Sequence, residues 1–287
     1  MPLPALPARL LRPLGLAFWP LLLALLLAGG PAWAAPVQLL TQARMLPLVP
    51  GQAADWNRAT PVQLPDDWAT SRPAQHGVVA YRLALAAPAA DAAGSTLHGL
   101  SIERACSVLA VWLNGQMIHD GGRFDEPVSR QCHRPQLVAV PAALLQPDGN
   151  VLELRIRGYA LAEVSSRQRA GGLSAVVFGA FDTVAAHHAR QLLFAIRLPE
   201  VLSGALVLMG SFMFVMGWFN RAQSYLAYFG ALMVGWSLLL ARLWASDLPV
   251  SNGTAELVLA SLMAFITLAT VQFLMRYAGH RLRWLDL

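Results

Sequence analysis

The densest run of chemistry-capable side chains lies between residues 112 and 133: Trp112, His119, Asp120, Arg123, Phe124, Asp125, Arg130 and His133. An aromatic face beside a few directed polar groups is what a small polar ligand needs. Carboxylate, guanidinium and imidazole in one loop supply both donors and acceptors. The loop residues read equally well as a solvated connection, and Trp112 reads first as part of a hydrophobic core. His119 and His133 would hold a metal only if the fold brought a carboxylate to both. His187 and His188 are neighbours, about 100° apart on a helix, and cannot share a metal as an i, i+4 pair does. No P-loop, no G-x-G-x-x-G opening a helix and no nucleophile elbow occurs. The sequence therefore calls for no cofactor and names no catalytic residue.

Two cysteines, Cys106 and Cys132, flank the segment VWLNGQMIHDGG. In an oxidising compartment such a pair forms a disulfide, and closing about 25 residues stabilises by roughly 3 kcal/mol in the chain-entropy model. Two separate buried thiols are the alternative.

These residues need a scaffold. Asn114-Gly115 between apolar runs signals a two-residue hairpin, because both central residues tolerate positive φ. Seven runs read as strands: 78–85, 95–102, 107–114, 116–119, 136–141, 150–158 and 173–181. Most alternate apolar and polar, the period of a half-buried antiparallel sheet. Turn signals separate them, among them PDGN at 147–150. The expectation for residues 35–182 is an all-β jelly-roll sandwich. Residues 183–198 (TVAAHHARQLLFAIRL) change to a helical period, with Asp182 as candidate N-cap, and read as a juxtamembrane connector.

The chain has 287 residues, 56% hydrophobic and only 13% charged, where a soluble domain carries about 25% charged residues. Its mean hydropathy is +0.48. All 21 Lys-plus-Arg residues are Arg. They are scattered, with no basic stripe interleaved with aromatics, so the formal charge of +5 does not point to nucleic acid. Residues 1–34 read as a signal peptide: Arg9 and Arg12, an apolar core from Leu14 to Leu27, the breakers Gly29, Gly30 and Pro31, then Ala32-Trp33-Ala34. An uncleaved anchor helix is the alternative. Residues 199–287 hold three apolar stretches, about 199–219, 224–245 and 255–275, each long enough for the hydrocarbon core of a bilayer. Trp218, Tyr225, Tyr228, Trp244, Tyr277 and Trp284 stand at or near their ends.

Arg221 lies in the first connection, no cation in the second (246–254), and Arg276, Arg281 and Arg283 in the tail. The positive-inside rule puts the first connection and the C-terminus in the cytoplasm and residues 35–182 outside. The signal peptide argues the same way. The expected location is the bacterial inner membrane, with the β-domain in the periplasm. Glu200, Arg242 and Glu256 fall near the outer span ends, where an Arg242 bridge to Glu200 or Glu256 is one expectation and snorkelling the other. Gly204, Gly210, Gly217, Gly230 and Gly235 allow close helix approach.

The order of features over residues 60–180 is LPDDW, VVAYRLAL, VWLNGQMIHDGG, a polar loop, LVAVPAALLQPDGNVLELRIRG and GGLSAVVFG. It resembles the galactose-binding-like jelly roll that family 2 glycosidases use as a sugar-binding domain. It is also similar to the extracellular domain of bacterial receptors of the seven-transmembrane diverse intracellular signalling class. Trp68, Tyr81, Arg82, Asn114, Gly115, Pro141, Leu144, Leu145, Pro147 and Asn150 carry the resemblance, and Trp68, Tyr81 and Arg82 read as structural. A glycosidase would continue into a barrel bearing two carboxylates; here membrane helices follow. The resemblance implies a sensor of a small ligand, such as a carbohydrate, or of a periplasmic protein, in a receptor of the histidine kinase or diguanylate cyclase type. It allows a homodimer. Three of the family's seven spans and no output domain fall in this sequence, which reads as a short membrane protein or the front part of a longer one. A membrane-anchored binding module without signal output is the other reading.

Overall fold

The computed structural model describes residues 37–86 and 96–279. The signal-peptide reading and the tail residues Arg281, Arg283 and Trp284 lie outside them.

Thirteen strands are described: β1 (Gln38–Leu40), β2 (Gln42–Pro47), β3 (Thr60–Gln63), β4 (Asp66–Asp67), β5 (Gly77–Leu85), β6 (Leu97–Ile102), β7 (Ala105–Cys106), β8 (Val108–Leu113), β9 (Gln116–Asp120), β10 (Gln136–Pro141), β11 (Asn150–Gly158), β12 (Gly172–Leu173) and β13 (Val176–Ala180). Alternation explains the long ones. In β11, Leu152, Leu154 and Ile156 are fully buried, while Val151, Glu153 and Arg155 take the opposite face. A six-stranded sheet runs β3-β2-β5-β11-β8-β9 and a four-stranded sheet β1-β13-β6-β10; the pairings are antiparallel. Tyr81, Leu83, Leu109, Val111, Leu152 and Leu154 of the first meet Leu100, Ile102, Val138, Val140, Val176 and Phe178 of the second in one core. The result is a β-sandwich. A small third sheet runs β4-β12-β7.

Between β8 and β9, Asn114 and Gly115 have φ of 51° and 85°, the primed turn that matches strand twist. The Asn114 amide donates to the Leu144 carbonyl and to Asn150 Oδ1, both at 3.0 Å, and its Oδ1 accepts from Val151 N at 2.9 Å. The hairpin is thus tied to the turn that opens β11. A short helix, α1 (Trp68–Ser71), follows β4. Trp68 Nε1 donates to Tyr81 Oη at 2.7 Å, and Tyr81 Oη donates to Asp66 Oδ2 at 2.7 Å. Burial and the adjacent Asp66 carboxylate push the Tyr81 phenol pKa upward, so it stays a donor. Gly171 lies so close to the Trp68 ring that any Cβ there would overlap it. These contacts are structural.

β13 runs directly into α2 (Phe181–Leu192), which lies across the four-stranded sheet; a Cβ at Gly99 would sit 3.1 Å from Val184 Cβ. The helix begins one residue before Asp182, which sits in its first turn and does not cap it; Ala180 holds the cap position. A π-helical turn (Leu193–Arg197) joins α2 to α3 (Leu198–Phe219). Two further helices follow, α4 (Tyr225–Trp244) and α5 (Asn252–Tyr277). The three helices, Phe181–Phe219, Tyr225–Trp244 and Asn252–Tyr277, are long and apolar enough to cross a membrane. A Cβ on Gly230 would overlap the Gly210 carbonyl and one on Gly217 the Ala227 backbone nitrogen, so α3 and α4 touch through backbone. Leu239, Leu259 and Ile266 bind α4 to α5.

Candidate functional site at the junction of sandwich and helices

The polar loop after the hairpin, residues 121–135, is held at several points. Cys132 is disulfide-bonded to Cys106 of β7. Gly121 N and Gln131 N donate to the carbonyls of Leu109 and Ser107, at 2.8 and 2.7 Å. Asp120 Oδ1 accepts from Gly122 N at 3.0 Å, turning the chain out of β9. The buried Ser129 hydroxyl accepts from Arg123 N at 3.0 Å and donates to Asp247 Oδ1 at 2.8 Å.

Asp247 belongs to the connection between α4 and α5, and so the loop docks on the helices. Arg130 N donates to the Ser246 carbonyl at 2.8 Å. Arg130 Nη2 reaches the carbonyls of Ser251 and Asn252, both at 3.3 Å, and Asn252 Oδ1 at 3.2 Å. A second segment, residues 163–169, grips the start of α5. Asn252 Nδ2 donates to the Glu163 carbonyl at 3.0 Å. Glu256 Oε2 accepts from Ser165 N at 2.9 Å, and Glu256 Oε1 pairs with Arg169 Nη1 at 3.3 Å. Both partners of that ion pair are largely buried, with side chains 6% and 12% exposed. Removing one partner of such a pair costs about 3–5 kcal/mol, because the other charge stays buried.

His133 faces the same region. Burial, then repulsion from Arg242, Arg169 and Arg104, pushes its pKa down to about 4, so the ring is neutral near pH 7. Burial also lowers the pKa of His119, against the pull of Asp120.

A different arrangement occupies the outer face of the six-stranded sheet. Arg155 stacks over Trp112 at 4.2 Å, and Arg82 over Trp56 at 3.8 Å. Glu153 lies between them, 3.0 Å from Arg82 Nε and 2.7 Å from Arg155 Nη2. Beside this ladder runs a shallow groove of about 670 Å³, with Gln42, Arg44, Gln63, Arg82 and Val151 in its lining.

The eight candidate ligand residues are therefore not one cluster. Trp112 is neither core nor loop rim; it is half-buried on the outer sheet face beneath Arg155. His119 pairs across the ladder with buried Val111, and Asp120 makes a turn. Arg123 is exposed, and the Phe124 carbonyl accepts from Arg157 Nη1. Arg130 serves the docking of the loop, and His133 lies among arginines. The expected Arg242 bridges are absent: Glu256 pairs with Arg169 and Glu200 with Arg197 at 3.1 Å. Arg169, Ser129, Asp247 and Asn252 carried no signal in the sequence, because their partners lie far along the chain; Arg155 opposite Trp112 was legible only once the strand register was known.

No family model matches the chain, and no curated protein does. Among solved structures, a glycosyl hydrolase family 2 member from Bacteroides cellulosilyticus is 11% identical with a TM-score of 0.38, over 50% of this chain and 20% of that one. A GH2 beta-galacturonidase from Eisenbergiella tayi is 12% identical with a TM-score of 0.37, over 50% and 24%. A Faecalibacterium prausnitzii beta-glucuronidase is 19% identical with a TM-score of 0.34, over 52% and 32%. The chain thus spans a third or less of the length of these proteins.

Proposed function

We propose that this chain is the sensory and transmembrane part of a bacterial signal-transduction receptor of the histidine kinase or diguanylate cyclase type. Its periplasmic jelly-roll sandwich binds a small ligand, a carbohydrate in first place, on the outer face of the six-stranded sheet. The observation that carries this reading is the double attachment of the sandwich. β13 continues without a break into α2 and α3, and the 121–135 and 163–169 segments hold the start of α5 and the connection before it. A module serving only as an anchored binder needs one tether; two attachments make a change in the sandwich felt by several spans. A ligand drives such a change only through different affinity for two states. The carbohydrate class rests on the residue pattern around Trp68, Asn114 and Asn150; the groove offers the polar groups of Gln42, Arg44, Gln63 and Arg82, and Arg82 links it to the Trp–Arg ladder on the same face.

The test uses the full chain in nanodiscs with a fluorophore on Gln223→Cys, between α3 and α4. The native cysteines are bonded to each other, so the added thiol is addressable. Against a panel of mono- and oligosaccharides, one class is expected to raise the thermal midpoint and change the label's emission. Arg82→Ala should weaken that binding about tenfold, as loss of a charged hydrogen bond does. A midpoint shift with a silent label favours the anchored binding module. A flat panel removes carbohydrate as the ligand.

A further inference from the structure

Between the sandwich and the near ends of α4 and α5 lies a cavity of about 400 Å³, a volume in the range of small-ligand sites. One wall is cationic: Arg130, Arg169 and Arg242. The other is hydrocarbon: Leu238, Leu259 and Leu262 among others. A second cavity of about 410 Å³ shares Arg242 and Leu259 with it and extends along the α4–α5 seam to Trp236 and Met263.

The charges do not balance. Glu256 is engaged by Arg169 and by Ser165 N. Arg242 has no carboxylate partner among the described residues. Arg169 is 5% exposed, and its Nε has no hydrogen-bond partner. Arg130 spends only Nη2 on the α5 start. Three guanidiniums face one carboxylate, Glu256, and the half-buried Arg242 is left without an anion, which is costly away from water, so the wall calls for an anion with several oxygens. Phosphate suits it, since arginine forks bind phosphate oxygens in pairs. The opposite wall and the adjoining seam call for hydrocarbon. Trp244 ends α4 two residues after Arg242, the level at which an interfacial aromatic meets lipid headgroups. Burial first, and then Arg242, Arg169 and Arg104, hold His133 neutral, so the arginines' field at this ring has the same positive sign.

We propose that this cavity holds an anionic phospholipid, its phosphate on Arg130, Arg169 and Arg242 and an acyl chain along Leu238, Leu259 and Leu262. The lipid completes the joint between sandwich and helices. The inference requires the helices to lie in a bilayer and does not depend on the identity of the sandwich ligand.

The full chain, purified in detergent and delipidated, is titrated with phosphatidylglycerol, phosphatidylcholine, oleate and inorganic phosphate. Retention is read by native mass spectrometry and stability by thermal midpoint. Phosphatidylglycerol is expected to be retained and to raise the midpoint, and the other three to do so far less. Arg242→Gln should weaken phosphatidylglycerol retention about tenfold. Leu262→Trp, which fills the cavity without removing charge, should also weaken it, and Arg221→Gln, on the distant α3–α4 connection, should not. Equal retention of phosphatidylcholine, an equal midpoint shift from oleate or phosphate, or undiminished retention in both Arg242→Gln and Leu262→Trp would overturn the proposal.

Discussion

His133 shows how burial and charge set a residue's behaviour independently of any ligand. Its pKa is about 4 in the folded protein against an ordinary 6.5. On acidification the unfolded chain therefore takes up a proton first, so stability falls as pH drops from 6.5 to 4 and is level above that window. Burial lowers the pKa of His98 and His119 as well, in the same sense. His133→Gln should flatten this decline, measured as the thermal midpoint against pH; an unchanged profile would mean that His133 is not held neutral. The sequence grouped His133 with Trp112 and Arg130 because they are close along the chain. Strand alternation sends Trp112 to the outer sheet face, while the side chains of Ser129 and Arg130 find partners 118 to 122 positions away. Adjacency identified the polar residues; it could not identify their partners.

At the scale of elements, legibility followed periodicity. NVLELRIRG and QLVAVP coincide residue for residue with β11 and β10, because alternation and flanking turns mark their limits. β1 to β3 went unread because their stretch is short and broken by Pro47 and Pro61, and β4, β7 and β12 are two residues each, too short for any period. The helical glycines likewise showed that close approach was allowed and not where. The structure separates them: Gly230 meets the backbone of α3, whereas Gly204 has nothing within 4 Å. Gly230→Leu should therefore destabilise the helices by about 1–3 kcal/mol or more, as overpacking does, and Gly204→Leu should be near neutral. Unfolding of the two variants in detergent compares them directly, and equal losses would mean that the α3–α4 contact is not set by backbone approach.

At the scale of the whole molecule, the sandwich and the helices are joined by chain continuity at α2 and by side chains at α5. Continuity alone would leave the sandwich free to pivot about the π-helical turn. The buried Arg169–Glu256 pair and the Arg130 contacts remove that freedom; under the proposed function this joint is what would carry a change on the sheet face to the helices. The most direct measurement is a spin-label distance between Met117→Cys on β9 and Gly253→Cys on α5, both exposed positions, in nanodiscs. The expected result is one narrow distance population that broadens when Arg130→Ala and Glu256→Gln are introduced together. A distribution already broad before those changes would contradict the rigid joint.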